Sequence, residues 1–351
     1  MRDAALTALL REATAGPGLV VLDENHSDSL PPPPAGEWRA ASNRCDVAHA
    51  ARTAGWNCAC NDFDFNAVAP LRQALYRISK EKRVAEHVLQ SLWEKLEVGG
   101  ELCLTGYKQE GVKTLASRAA TAWQTTAELE RGDGGLHLYR LRKHAASVES
   151  LADGAYHRLR EIGEWQGTPL WSKPGIFAWD RIDDGSRLLL ERLPHTLQGL
   201  DLAECSGLDL GCGYGLLALA LAQAGCARVI ATDNNAAAIA ATSHNLQQVS
   251  VRDGVQVVLD DCAGSIRERV DLLLCNPPFH QGFAVEGSLT DRFLAAAKRL
   301  LKPKAQALFV VNAFIPLERK AQEHFARVET LANDRRFKVL RLTLEQTRKA
   351  R

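Results

Sequence analysis

The chain has 351 residues, of which 46% are hydrophobic and 24% are charged, and its formal net charge is +1. This length is typical of two domains, and the near-neutral charge excludes a strongly basic nucleic-acid coat protein while allowing an RNA ligand. An odd number of cysteines, nine, and the lack of any apolar run of about 18 residues exclude a secreted disulfide scaffold and a membrane span, so we expect a cytoplasmic protein.

Helices and strands alternate along the first half of the chain, as expected for an α/β domain. Apolar side chains recur at helical spacing over residues 80–97, and Gly99 with Gly100 is expected to end that helix. The predicted elements are a helix at 3–14, a strand at 19–22, a helix at 80–97, a strand at 102–105, a helix at 110–123 and a strand at 136–141.

The second half repeats this order after a linker at residues 144–175. Residues 138–141 and 339–342 are nearly the same sequence at an offset of about 200 residues. We interpret this as a duplication of one Rossmann-like domain, with domains at 1–160 and 161–351; two α/β domains that are alike only by class are the alternative. The predicted elements are strands at 207–210, 228–232, 255–259, 270–275, 307–311 and 337–342, and helices at 216–222, 290–301 and 317–326.

A glycine-rich turn follows the first strand of the second half. Glycines let the backbone turn tightly and approach a ligand, and the next helix offers free N–H groups at its N-terminus. A dinucleotide loop needs a glycine where Leu216 stands, and a carboxylate at 209 would repel a pyrophosphate but suits the cationic amino-acid end of S-adenosyl-L-methionine. The residues assigned to this cofactor are Asp209, Gly211, Cys212, Gly213 and Gly215.

Two later strands also end in polar residues. Asp233 lies about 20 residues past the glycine turn, where a carboxylate can hold a ribose diol. Asn234, beside it, is assigned to the same cofactor site. Asp261 follows the strand at 255–259 and is expected to reach the adenine amino group; the alternative for Asp261 is an ordinary solvated loop carboxylate.

A second loop, Asn276, Pro277, Pro278, Phe279 and His280, follows the buried strand at 270–275. The carboxyl ends of parallel strands meet at one edge of a sheet, so this loop and the glycine turn should be neighbours. A base amino group is a poor nucleophile because its lone pair is delocalised into the ring. Two hydrogen-bond acceptors on its hydrogens favour a more tetrahedral nitrogen that can attack a sulfonium methyl group.

We therefore predict Asn276, Pro277 and Phe279 to be the catalytic residues. Asn276 would accept through its side-chain carbonyl, Pro277 through its backbone carbonyl, and Phe279 would stack on the base. His280 either orients the base or faces solvent. The loop by itself fits a guanine N2, an adenine N6 or a glutamine amide, since all three are planar amino groups.

These motifs resemble those of the bacterial 16S ribosomal RNA (guanine-N2) methyltransferases, which consist of two tandem methyltransferase-like domains. The resemblance covers essentially the whole chain. It implies S-adenosyl-L-methionine as methyl donor and a guanine N2 in the 16S rRNA of the 30S ribosomal subunit as acceptor. Residues 174–177 and 183–186 resemble the family's segment that closes over the cofactor, which assigns Phe177 to the cofactor site. The other matching residues are Asn312, Ala313, Phe314, Arg336, Phe337, Lys338 and Val339.

The first half has lost both loops. No glycine turn follows Asp23, and residues 76–79 stand where Asn276 to Phe279 would be. We expect this degenerate copy to serve as support or to grip RNA, with an ordinary solvated helix face as the alternative. The candidate phosphate contacts are Arg72, Arg77, Lys80, Lys82 and Arg83.

Several other functions fit the same motifs. A close relative of the family methylates a guanine of the large-subunit 23S rRNA and shares these loops. Adenine-N6 and glutamine-N5 methyltransferases also carry an Asn-Pro-Pro-aromatic loop. A non-enzymatic RNA-binding ribosome assembly factor is the alternative from another class, although the intact loops speak against it. We expect a monomer that uses no metal and contacts no membrane.

Overall fold

The computed structural model describes residues 3–25, 30–145, 149–278 and 287–344. The chain divides into two units, the first ending at Arg158 and the second beginning at Leu159. Among the described helices, none combines the length and the apolar character that crossing a membrane requires.

The first unit is a seven-stranded sheet with strand order β3-β2-β1-β4-β5-β7-β6, flanked by helices. Its strands are β1 Gly18–Val21, β2 Trp38–Ser42, β3 Asn57–Cys60, β4 Leu71–Arg77, β5 Leu96–Tyr107, β6 Ala127–Arg131 and β7 Leu136–Arg142. Its helices are α1 Ala4–Leu10, α2 Cys45–Thr53, α3 Lys82–Lys95 and α4 Val112–Ala122.

The second unit opens with a hairpin of β8 Arg160–Trp165 and β9 Thr168–Ser172. A second seven-stranded sheet follows, with strand order β12-β11-β10-β13-β14-β16-β15. Its strands are β10 Ser206–Leu210, β11 Arg228–Asp233, β12 Val255–Leu259, β13 Val270–Cys275, β14 Leu301–Asn312, β15 Arg327–Asn333 and β16 Phe337–Thr343. The helices are α5 Asp184–Leu197, α6 Leu216–Gln223, α7 Ala236–Leu246, α8 Gly287–Leu300 and α9 Leu317–Ala321.

The two sheets have the same strand order. If the strands of each sheet are counted from its own first strand, both run 3-2-1-4-5-7-6. In both, the first and fourth strands are parallel neighbours, and the seventh strand is antiparallel to the fifth. This shared topology confirms the prediction of two tandem Rossmann-like domains.

The second sheet is covered on both faces, which explains why β13 is an unbroken apolar run. Leu272 and Leu274 pack in the core that contains the α5 and α6 side chains, whereas Leu273 and Cys275 pack in the core that contains those of α8. The same alternation along β10 turns Asp209 towards α6, which places a carboxylate inside an apolar layer.

Several predicted helix ends are wrong: the helices predicted at 3–14 and 317–326 end early, at Leu10 and Ala321, and the helix predicted at 80–97 is stopped by something other than its two glycines. Helix α3 ends at Lys95, before the two glycines, and the chain enters β5 at Leu96. Gly99 and Gly100 lie inside β5, where the pairing with β4 shifts register. Gly99 has a φ of +89°, which allows the chain to make this irregular turn within the strand.

Several strands were not predicted from the sequence. Among them, β3, β6 and β15 lie at sheet edges. An edge strand buries less of its surface than a central one, so its sequence carries a weaker apolar signal.

Candidate active site

The two predicted loops leave neighbouring strands at the same edge of the second sheet. Leu210 in β10 pairs with Cys275 in β13, and the next residues along the chain are Gly211 and Asn276. The prediction that the glycine turn and the Asn-Pro-Pro loop are neighbours is therefore confirmed.

The glycine turn is a backbone cradle in which Gly211, Gly213 and Gly215 all have positive φ. Gly213 has a φ of +55°, and its N–H donates to Asp233 Oδ2 at 3.0 Å. Gly215 has a φ of +84°, and a Cβ atom there would lie 2.9 Å from the Thr242 side chain. Thr242 Oγ1 also donates to the Gly213 carbonyl at 2.9 Å. The turn is thus fixed by β11 and α7, and it leads directly into α6, whose first N–H groups can face a polar ligand.

Cys212 contributes its backbone to this cradle. The N–H groups of Gly211 and Cys212 both donate to the Thr232 carbonyl, at 2.9 and 3.0 Å. The Cys212 side chain is buried, and burial raises the pKa of its thiol well above the usual value. The thiol therefore packs as a small apolar group and is no nucleophile at neutral pH.

Asp209 is fully buried beneath the turn. Its Oδ2 accepts a hydrogen bond from the Ala218 N–H of α6 at 2.9 Å, while its Oδ1 has no hydrogen-bond partner among the described residues. Burial raises the pKa of Asp209 to about 8; the bond from Ala218 opposes this shift, and the charge of Asp233 adds to it. A buried acceptor without a partner is costly. Such an oxygen fits a ligand ammonium group, which is what the amino-acid end of S-adenosyl-L-methionine supplies.

Asp233 links the end of β11 to the glycine turn. Besides the bond from Gly213, its Oδ1 accepts from the Asn235 N–H at 2.9 Å. Asn234 lies between these residues and is half-buried. Asn235 is buried, caps α7 through the Ala237 N–H, and donates from Nδ2 to the Gly175 carbonyl at 2.7 Å. The Asp233 carboxylate is therefore held in one orientation at the sheet edge.

Asp261 lies in the loop after β12. Its Oδ2 is in an ion pair with Arg292 of α8. The preceding residue, Asp260, is used locally, because its Oδ2 accepts from both the N–H and the hydroxyl of Ser265. Both carboxylates therefore have protein partners, and the assignment of Asp261 to the adenine amino group stays a prediction.

Asn276 is oriented by its amide nitrogen. Nδ2 donates to Asp183 Oδ2 at 2.9 Å and to Ser186 Oγ at 3.0 Å. The same Asp183 oxygen accepts from the Ser186 N–H at 2.7 Å and so caps α5. A carboxylate only accepts, so the NH2 side of the amide must face it. The Asn276 carbonyl is left as an acceptor directed elsewhere.

The remaining residues of this loop are only partly described. Pro277 is buried and Pro278 is exposed. Phe279 and His280, which were predicted to stack on or orient the base, lie outside the described residues.

The segment from 174 to 183 approaches the glycine turn through Ile176. A Cβ atom on Gly213 would lie 3.8 Å from Ile176, and Ile176 is buried. Phe177 is 71% exposed. The structure thus brings Ile176 against the cofactor loop, and the assignment of the exposed Phe177 to the cofactor site stays a prediction.

Sequence reasoning missed the residues that hold the site together. Tyr214 is buried, its hydroxyl accepts from the Asp183 N–H at 3.2 Å, and burial raises the pKa of Tyr214 to about 12. Asn245 donates from Nδ2 to the Tyr214 carbonyl at 2.7 Å. The available signal was Asp183, whose residue type is favoured at a helix N-cap.

The corresponding site of the first unit is closed by an ion-pair network. Val21 pairs with Tyr76 as Leu210 pairs with Cys275, so Arg77 stands where Asn276 does. The sequence comparison, which placed Tyr76 there, is wrong by one residue. Arg77 is 3% exposed, and its guanidinium bonds Glu110 through two nitrogens, at 2.6 and 2.9 Å.

Asp3 also accepts from Arg77 Nε, at 3.1 Å. Burial by itself would lower the pKa of Arg77. The hydrogen bonds and charges of Glu110 and Asp3 outweigh that effect and raise the pKa above its ordinary value. The prediction that Arg77 contacts a phosphate is therefore wrong, because its side chain is buried and paired inside the unit.

Comparison with known proteins agrees with the fold and the site. The family model described as "Methyltransferase small domain" matches residues 167–341. The ribosomal RNA small subunit methyltransferase C of Chromohalobacter salexigens is 33% identical over 272 residues, which cover 77% of this chain and 78% of the relative. The protein of the same name from Escherichia coli O7:K1 is 30% identical over 292 residues, which cover 82% of this chain and 79% of the relative.

A solved structure shares the whole architecture. The 16S rRNA N2 methyltransferase RsmC of T. thermophilus, in complex with AdoMet and guanosine, has a TM-score of 0.83 to this chain at 21% identity. The match covers 98% of this chain and 92% of that one. At this identity the likeness shows the fold, including the two-unit organisation.

The fold, the glycine cradle over a buried carboxylate and the matching family model define an S-adenosylmethionine-dependent methyltransferase, which confirms the predicted class. The sequence identity to the two named relatives, which extends over most of each chain, also shows the family. The chain belongs to the ribosomal RNA small subunit methyltransferase C family.

Proposed function

We propose that this protein transfers a methyl group from S-adenosyl-L-methionine to the exocyclic N2 of a guanine in 16S rRNA. The observation that carries the proposal is the orientation of Asn276, whose amide NH2 is held by Asp183 and Ser186. A fixed acceptor at a sheet edge suits an amino group that must present its lone pair to a methyl donor. The small-subunit RNA is the substrate in the names of the relatives.

Three carboxylates would hold the cofactor. Asp209 would bind its ammonium group through Oδ1, Asp233 its ribose hydroxyls, and Asp261 its adenine amino group. The backbone of the turn from 211 to 215 would lie close to the cofactor. When bound, the cofactor supplies an electrophilic methyl group on a sulfonium, and the protein itself needs no nucleophile.

The acceptor would be positioned by Asn276 and Pro277. Hydrogen bonds from the guanine amino group to the Asn276 side-chain carbonyl and the Pro277 backbone carbonyl keep its hydrogens out of the way of the attacking lone pair. No general base has to act first, because the nitrogen becomes acidic once it carries the methyl group and can then release a proton to solvent. Phe279 remains the predicted stacking partner for the base.

We further propose that the first unit, residues 1–160, supports the catalytic unit or grips RNA and performs no methyl transfer. The buried Arg77 network supports the loss of catalysis. Arg72, Lys80, Lys82 and Arg83 are exposed and stay candidates for phosphate contacts. Arg83 pairs with Asp153 at 3.1 Å, but both side chains are exposed, so the pair is weak enough to yield to a phosphate.

The decisive experiment is transfer of a tritiated methyl group into separated small and large ribosomal subunits from a strain that lacks this gene. We expect label in a guanine of the small subunit, and Asn276→Ala should abolish it. Label only in the large subunit, or in an adenine, would refute the proposal. Since ribosomal subunits are cytoplasmic, the proposal includes a cytoplasmic location. It also takes the enzyme to be a monomer that acts without a metal.

A further inference from the structure

Phe314 is a large apolar side chain that the second unit leaves in solvent, with 83% of its surface exposed. It lies just beyond the end of β14, which is the parallel neighbour of β13, the strand that leads to Asn276. The loop is fixed by its backbone, because the Ala313 N–H donates to the Arg336 carbonyl at 2.8 Å. Leu317, three residues further on, is 1% exposed. Pro316 is also exposed and Ile315 is half-buried, so Phe314 is the one aromatic ring that this segment presents to solvent.

The loop that carries Phe314, residues 313–316, is connected through side-chain and backbone contacts to the residues that orient Asn276. Arg336, whose carbonyl holds the loop, pairs through Nη2 with Asp184 at 2.9 Å. The next residue, Phe337, lies against α5, since a Cβ atom on Gly185 would be 3.0 Å from its ring. Asp184 and Gly185 are the two residues between Asp183 and Ser186. Phe314 and Arg336 therefore border the place where the acceptor base would enter.

The chemistry of this border is that of a single-stranded nucleic-acid contact. An exposed aromatic ring offers a stacking face to an unpaired base, and an exposed arginine offers a charge to the adjoining phosphate. The Arg336 side chain is 69% exposed, and its partner Asp184 is 55% exposed. An exposed ion pair contributes little, so Arg336 can exchange Asp184 for a phosphate.

We propose that Phe314 stacks on an unpaired nucleotide next to the target guanine and that Arg336 binds a phosphate of the same RNA strand. This inference rests on the proposed function, because it takes RNA as the substrate. Phe314 and Arg336 would then determine how the RNA is presented, while Asn276 acts on the reacting amino group.

The first test is the steady-state kinetics of methyl transfer into small ribosomal subunits. Phe314→Ala should raise the KM for the subunit about tenfold and leave the KM for the cofactor unchanged, because stacking on one base is lost. Phe314→Trp should restore the KM, whereas Phe314→Leu should not. Val98→Ala, at a residue 67% exposed in the first unit, is the matched control and should change neither constant.

The second test is the salt dependence of subunit binding. Arg336→Gln should reduce the slope of log K against log salt concentration by about 0.7, the loss of one phosphate contact on a single strand. Asp184→Asn breaks the same ion pair but keeps the arginine, and it should not reduce the slope. Unfolding midpoints of all variants near that of the natural protein would show that folding is intact.

The outcomes separate this inference from the proposed function. An unchanged subunit KM in Phe314→Ala, or rescue by Phe314→Leu, would overturn the stacking role while wild-type methylation still stands. An unchanged salt slope in Arg336→Gln would overturn the phosphate contact. If the wild-type protein does not methylate small-subunit RNA at all, the proposed function fails first, and this inference falls with it.

Discussion

Cofactor affinity should depend steeply on pH because of Asp209. This carboxyl is fully buried, and burial raises its pKa to about 8, with the charge of Asp233 adding to the shift. An ammonium group on the ligand needs the ionised carboxylate, so binding must displace the proton. About half of the Asp209 groups are ionised at pH 8 and about 1% at pH 6, so this carboxyl alone would lower the affinity about 50-fold. Because about half of the cofactor amino groups are uncharged at pH 8 and nearly all are charged at pH 6, the net fall should be about 25-fold.

The affinity should also fall on the alkaline side. The α-amino group of the cofactor has an ordinary pKa near 8, so it loses its charge as the pH rises further. The affinity of the natural protein should therefore be greatest near pH 8. Asp209→Asn should bind more weakly there and lose the steep acid limb.

Isothermal titration calorimetry at constant ionic strength measures these affinities. Methylthioadenosine, which lacks the amino-acid end, is the control ligand and should show no acid limb. A dissociation constant for S-adenosyl-L-methionine that stays flat from pH 6 to pH 8 would refute the role given to Asp209.

The stability of the cofactor-free protein should change in the opposite sense. A native pKa raised from 3.8 to about 8 means that the folded protein holds this proton more tightly than the unfolded chain. The resulting stabilisation is complete below pH 3.8 and is lost as the pH rises through about 8. Between pH 5 and pH 8, the unfolding midpoint should therefore fall more in the natural protein than in Asp209→Asn.

Three further predictions concern single positions. Asn276→Ala should abolish turnover and leave the cofactor affinity measured by calorimetry unchanged. Ser186→Ala removes one hydrogen bond to Asn276, worth about 0.5–1.5 kcal/mol, and should lower kcat about 2- to 10-fold. Gly215→Ala should lower the free energy of unfolding more than Gly225→Ala, because both have positive φ but only Gly215 has a side chain within 4 Å. Arg77→Ala should destabilise the first unit by about 3–5 kcal/mol in denaturant titrations, since it leaves buried carboxylates unpaired; a loss below about 1 kcal/mol would contradict the network described here.

The sequence by itself determined the local features of the site. Parallel strands carry their loops at one edge, so the turn after β10 and the loop after β13 could be paired without coordinates. Residue spacing was also enough to show the duplication and to place the glycines. These features depend on contacts between residues close in the chain or on the period of apolar positions.

The tertiary structure decided what each polar group does. Asn276 is oriented by Asp183 and Ser186, about 90 residues earlier in the chain, and no local pattern links them. The sequence suggested that Arg77 contacts a phosphate, yet its side chain is buried in the first unit, where it pairs with Asp3 and Glu110. The charge state and partners of a polar side chain depend on burial and on distant residues, and only the folded chain brings those together.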